Sequence, residues 1–395
     1  MRFTYTLTNS SGVSDPLTVI LTIEARPDPT LDTGVRAISD AQTEAARRFA
    51  STQMDNFSRR LERLHGDQRA GGLGVTLGSG VAGSGACAPT ARTPEEQRLC
   101  RESGVAGGST AGSQGPRGVG EVEVWSGGAI TVGRRDPDSG RAKLSVQTSG
   151  VSGGADVRVS PTLTVGLGGG YASDISKLGQ GLGRVEAKGW TAASYASFHP
   201  SSGAFIDAVA GIGDLTFDTR RTVAATGETA LGQRDATLRF GALTAGYDGE
   251  AGRALWSLYL RAKSVDGKLK AYAENGSEIY SLAFDQRDLR SRVGVVGGRL
   301  GLSYKVGDLV FTPRVRLEYS REFAGIDPQR IRYADWLDGA VYELGGVGWK
   351  GERVNLELGA GAELGSGWTL DLDVGGENAS GLTSATGRIS AAKRF

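Results

Sequence analysis

Few residues in this 395-residue sequence could carry chemistry, and they are widely spaced. Gly150-Val151-Ser152-Gly153-Gly154 has the G-x-S-x-G form that exposes a serine nucleophile when it sits on a strand–turn–helix elbow. Here alternating strand-like residues surround it and no helical pattern follows. Gly346, Gly348 and Gly351 spell G-x-G-x-x-G, which cradles a phosphate only where it opens a helix whose N–H groups face the anion. This run leads into a strand instead. Both matches are expected by chance in a chain with 62 glycines. The reading is therefore of no catalytic residue, no cofactor and no metal centre, and so not of an enzyme. Cys87 and Cys100 bracket "CAPTARTPEEQRLC", where Thr93-Pro94-Glu95-Glu96 has the form of a capping box with proline at the first helical position. A local Cys87–Cys100 disulfide is the expected use in an oxidising compartment, with a reduced structural pair as the alternative. Zinc is disfavoured because the only histidines, His65 and His199, fall in other elements.

One charged group remains. Between Arg47 and Arg63 five arginines (Arg47, Arg48, Arg59, Arg60, Arg63) stand against Asp55 and Glu62. They belong to a stretch from Asp32 to His65 in which Ile38, Ala41, Ala45, Phe49, Phe57, Leu61 and Leu64 recur at helical spacing, with Gly66 as the stop signal. This helix follows a break at "RPDPT" and precedes a Gly/Ala/Ser-rich linker over 67–118, so segment 27–66 reads as linker plus amphipathic α-helix. Before it, residues 1–26 read as a β-hairpin of strands Phe3–Thr8 and Leu17–Ile23, the remnant of an Ig-like β-repeat. No secretory signal opens the sequence, which suggests a fragment or a mis-called start. A formal charge of +1 gives no support to a nucleic-acid partner.

From 119 to 395 the period is two almost throughout. Trp368, Leu370, Leu372 and Val374 alternate with Thr369, Asp371 and Asp373; Val354, Leu356, Leu358 and Ala360 alternate with Asn355, Glu357 and Glu363. Phe311, Val315, Leu317 and Tyr319 oppose Arg314, Arg316 and Glu318. About twelve such segments begin near 121, 142, 162, 184, 203, 232, 252, 285, 308, 350, 366 and 383. Connections after even segments are tight and those after odd segments are long and polar, a segregation that a soluble sandwich has no reason to adopt. The pattern predicts an all-β fold, an antiparallel transmembrane β-barrel of about twelve strands. Its charged face (Arg314, Arg316, Glu318, Glu357, Glu363, Asp371, Asp373) would line the lumen. Aromatics such as Trp256, Tyr304, Phe311, Tyr319 and Trp368 would form interfacial girdles in outer-membrane lipid. Ile389, Ala391 and Phe395 would face lipid on the closing strand, with Lys393 reaching the interface.

A charged helix, a linker and a strand-rich region ending in Phe395 resemble the C-terminal translocator of a classical autotransporter, the type V secretion system of Gram-negative bacteria. "RRFASTQMDNFSRRLERLHG" is similar to the helix and linker before such barrels, and "LTAGYDG", "FTPRVRLEYSREF", "GSGWTLDLDV" and "RISAAKRF" are similar to their strands. The resemblance implies protein secretion through an outer-membrane, monomeric barrel. It also implies folding by the β-barrel assembly machinery, which reads the terminal aromatic strand, and export of the chain's own passenger segment. The Arg47–Arg63 helix would either lie in the pore, paired with lumenal carboxylates, or be left outside by the long linker. Some relatives cut their linker at an asparagine of this helix; Asn56 lies in the right element, without a diagnostic pattern around it. The alternative function is a stand-alone outer-membrane pore or adhesin-like barrel.

Overall fold

The computed structural model describes residues 2–21, 26–69, 118–137, 141–200, 203–325, 327–346, 351–379 and 381–395. Twelve antiparallel strands form the wall. They are β1 (Val122–Arg135), β2 (Leu144–Ser160), β3 (Leu163–Leu178), β4 (Gly183–Phe198), β5 (Ala204–Thr222) and β6 (Thr229–Ala251). They continue as β7 (Ala254–Leu269), β8 (Arg287–Leu302), β9 (Leu309–Glu322), β10 (Glu352–Leu364), β11 (Trp368–Ala379) and β12 (Leu382–Arg394). Each pairs with the next, and β12 returns to β1 with Leu382 opposite Arg135 and Arg394 opposite Glu123. The ring is closed, so every strand has both hydrogen-bonding edges occupied. The starts lie within three residues of those expected from the period-two pattern.

The outward face explains why the alternation carries this shape. On β5, Ile206, Ala208, Ala210 and Ile212 give way to Asp214, Thr216, Asp218 and Arg220. On the neighbouring β4 the same change falls at Trp190, beyond which Lys188, Glu186 and Arg184 point outward. Ala204 to Ile212 is the nine or so residues that a tilted strand needs to cross a hydrocarbon layer. Tyr247 and Trp256 pack at 5.9 Å near one rim of this apolar band, where Trp368 and Phe311 are also exposed; Tyr171 and Trp190 stand in register at the other. Among the described residues no helix is long and apolar enough to cross a membrane.

The segregation of connections holds on one side and is incomplete on the other. All five even connections are short, but three odd ones are short as well, among them the 223–228 turn between β5 and β6. Gly179–Gly181 links β3 to β4, and Ala379 pairs directly with Leu382 at the β11–β12 turn. Length on this side is spent in strand rather than loop: β5 and β6 run 19 and 23 residues, well past the apolar band. The two longest connections fold into a sheet of their own, Tyr272–Ala273, Leu282–Phe284, Gln329–Tyr333 and Tyr342–Leu344. Its apolar face gathers Tyr272, Leu282, Phe284, Ile331, Tyr333 and Leu344 around Val35.

Val35 belongs to α1 (Thr33–Arg69), which runs down the inside of the barrel. Asp32 caps it, accepting from the N–H groups of Gly34 (2.7 Å) and Val35 (3.4 Å). The expected apolar stripe, Ile38, Ala41, Ala45, Phe49, Phe57, Leu61 and Leu64, is wholly buried. Gly66 does not stop the helix, which continues to Arg69. At the N-terminus Arg2–Tyr5 pairs with Leu17–Ile20 as one hairpin, with a tighter pairing of Thr8–Asn9 and Gly12–Val13 inside it. Its second strand ends at Ile20, and Ile23, expected to belong to it, lies outside the described residues.

Candidate functional site: the filled lumen

The inner wall has two unlike halves, and the helix uses each differently. On β2 and β3 the wall beneath α1 includes Gly150, Gly168 and Gly170. With no side chains there, the helix approaches the wall closely: a Cβ at Gly170 would stand 2.0 Å from Gln53 Oε1 and 2.7 Å from the Val151 carbonyl, and one at Gly168 would stand 2.8 Å from the Phe57 ring. Phe57 then packs edge-on against Trp125 at 5.5 Å, and Trp125 donates to the Tyr195 hydroxyl. On this face the helix also carries polar groups that meet complementary wall groups. Arg60 donates to both oxygens of Asp156 at 2.7 Å and to Glu123 at 2.9 Å; Arg48 holds Asp174 through two donors, at 2.8 and 2.9 Å. Asn56 donates to Ser152 Oγ, which donates to Gln53 Oε1. The serine of the G-x-S-x-G run is thus a mid-strand hydrogen-bonding partner of the helix.

The opposite wall lies farther away, and long charged side chains bridge the gap. Arg59 reaches Glu357 at 2.5 Å and Arg63 reaches Asp371 at 2.9 Å; Asp55 receives Lys263 at 2.5 Å. Glu62 stands among three wall arginines, bonded to Arg316, 3.0 Å from Arg261 and 3.3 Å from Arg299. The wall supplies further partners to itself: Arg314 with Asp371 (2.6 Å) and Asp373 (2.7 Å), Arg388 with Glu357 (2.9 Å), Arg261 with Glu318 (3.3 Å). Charges so far from bulk water persist only when paired and hydrogen-bonded. Toward the long-loop end Arg135 holds Glu44 at 2.8 Å, and Arg234 binds Gln42, which in turn donates to Tyr272 of the loop sheet.

Six of the seven expected lumenal charges therefore meet inside the barrel: Arg314, Arg316, Glu318, Glu357, Asp371 and Asp373. Glu363 has the right parity but sits exposed beside the β10–β11 turn, because β10 ends one residue later. Four of the five helix arginines reach wall carboxylates, while Arg47 donates to the Arg290 carbonyl at 2.6 Å. Cys87 and Cys100 lie outside the described residues, as do positions 347–350 of the glycine run. Ile389 and Phe395 are exposed on the outer face, Ala391 is half-buried, and Lys393 lies over the Trp368 ring at 5.6 Å. Sequence reasoning passed over the glycine floor, because inward glycines look like gaps in an alternation. It also gave Glu62 no role beyond standing, with Asp55, against the helix arginines, since acids interleaved with arginines on one helix read as local surface pairs.

A family description, the autotransporter β-domain, matches residues 124–375. The chain belongs to that family. As a member it is an outer-membrane translocator domain of Gram-negative bacteria, a secretion unit held in the membrane by its barrel. Solved autotransporter structures share the fold. The translocator domain of NalP from Neisseria meningitidis is 19% identical, covers 71% of this chain and 90% of its own, and superposes with a TM-score of 0.56. The β-domain of the Bordetella autotransporter BrkA is 15% identical, covers 69% of this chain and 99% of its own, with a TM-score of 0.52. No curated protein matches the sequence.

Proposed function

We propose that a passenger N-terminal to Thr33 leaves the periplasm through this lumen and emerges among the long loops, and that α1 then stays behind as the plug. The observation that carries this is the direction of α1. Its N-terminus lies under the loop sheet, where Arg221 pairs with Glu274 at 2.5 Å and lies 3.7 Å from Asp32. Its other end lies at the rim of short turns, near Ser390 and Asp207. A chain threaded outward in this orientation leaves its last exported residues just before Asp32. The filled lumen disfavours the reading of a stand-alone open pore. In this reading the barrel works as a monomer and its lumenal charges act by pairing rather than by catalysis. Its insertion by the assembly machinery depends on the β12 strand ending in Phe395.

The test fuses a signal peptide and a compact reporter ahead of residue 26 and probes intact cells with external protease. The reporter is expected to be cleaved at the surface. A correctly inserted barrel, migrating faster on gels before heating than after, whose reporter stays in the periplasm would overturn the proposal.

A further inference from the structure

The chain has two histidines, separated by 134 positions, and the fold brings them together. His65, in the last turns of α1, and His199, in the β4–β5 turn, stand edge to face with ring centroids 4.9 Å apart. Asp248 of β6 completes the group: one ligand atom from each of the three residues lies within 4.8 Å of the other two, and all three residues are buried. We propose that His65, His199 and Asp248 form a transition-metal site that fastens the C-terminal end of the pore helix to the short-turn rim of the barrel.

The donor set and its surroundings suit a zinc-class divalent ion. Two imidazoles and a carboxylate leave one tetrahedral position for water, and imidazole nitrogen selects zinc, copper or nickel over magnesium or calcium. The second shell is already in place. His65 Nε2 lies 2.9 Å from Asp207 Oδ2, so this nitrogen donates to a carboxylate and directs Nδ1 toward Asp248, 2.9 Å away. Asp207 is fixed in turn by the Ser197 hydroxyl at 2.7 Å. The backbones that carry the other two ligands are pinned: the N–H of His199 donates to the Thr162 carbonyl at 2.8 Å, and that of Asp248 to the Gly203 carbonyl at 2.7 Å. Phe205 covers His65 with a centroid distance of 4.1 Å, giving the site an apolar side.

Arg299 is the cation that a metal would have to tolerate. Its Nη2 lies 3.4 Å from His65 Nδ1 and 3.5 Å from Asp248. It also meets Glu62 (3.3 Å), whose charge it shares with Arg261 and Arg316, and donates to the Ser257 hydroxyl (3.1 Å), so it keeps both partners when Asp248 turns to the metal. Binding replaces the proton on His65 Nδ1, which leaves to solvent. The site depends on the helix lying in the lumen and not on whether a passenger is exported, so the two proposals fail separately.

The test uses the untagged full chain, refolded in detergent, with cobalt(II) and copper(II) as probes. Cobalt is expected to give a tetrahedral visible band that saturates at one ion per chain. Copper is expected to give superhyperfine structure from two imidazole nitrogens in electron paramagnetic resonance. Zinc should protect the segment around His65 from protease, and a chelator should reverse the protection. In His199→Gln the copper spectrum should fall to one nitrogen and the zinc protection should vanish while the barrel still shows its heat-dependent gel shift. No cobalt band with the natural sequence, a copper signal with fewer than two nitrogens, or protection unchanged in His199→Gln would each overturn the site. The copper measurement needs no variant and decides the matter even if His199→Gln does not fold.

Discussion

Glu62 is a helix carboxylate that compensates Arg261, Arg299 and Arg316 of the wall together. Its loss leaves more uncompensated charge than the loss of any single arginine around it. Removing one partner of a buried pair costs about 3–5 kcal/mol, mostly through the stranded charge. Glu62→Gln and Arg60→Gln should therefore lower the urea midpoint of the folded barrel strongly, whereas Arg63→Gln should cost less, because Asp371 keeps Arg314. Equal midpoints for the three variants would show that the pairs are not what holds the helix. At the surface the scale is different. Arg26 donates to both oxygens of Asp335 at 2.5 Å and lies over the Tyr333 ring at 4.8 Å. This hydrogen bond holds the Asp335 carboxyl below its usual range. A lowered folded-state pKa means that the contribution is present above the unfolded carboxylate value of about 3.9 and is lost as the pH falls below it. The pair is exposed, so its worth is no more than about 1 kcal/mol. Asp335→Asn should leave global unfolding unchanged and hasten proteolysis around Arg26 at neutral pH, with no difference from the natural sequence in acid.

At the scale of elements, the glycine floor decides where the helix lies. Gly170→Val must displace either Gln53 or the strand, and should lift α1 from β3, raising single-channel conductance in planar bilayers. Gly387→Val, on the outward face with nothing within 4 Å, is the matched control and should conduct like the natural protein. A silent Gly170→Val channel would mean that the floor is not what seats the helix. The same glycines show why part of this architecture was legible in the sequence and part was not. Alternation is a local property, so Trp368 to Val374 and Val354 to Ala360 announced their strands directly. The apolar stripe from Ile38 to Leu64 announced α1 in the same way. Depth inside the lumen is a non-local property. His65 and His199 meet only because β4 and β5 turn at the level where α1 ends, and no spacing along the chain encodes that level. The loop sheet was hidden for a related reason: Tyr272, Phe284 and Ile331 lie in two different connections and acquire a shared core, with Val35, only when strands of those connections pair.

For the whole molecule, closure and filling are separable. The wall pairs through both edges of every strand, so a chain lacking 33–65 should still show the heat-dependent gel shift of a barrel and should conduct where the full chain does not. Loss of the gel shift would instead make the helix part of the fold. Parity adds a further consequence. Twelve strands bring the chain back to the side from which it set out, and α1 contributes one more passage in the opposite sense, making the total odd. Material before Thr33 and the residue Phe395 must then lie on opposite faces of the membrane. On the proposed direction of export, a protein fused ahead of the helix is displayed to the surroundings, while a label beside Phe395 stays hidden from them.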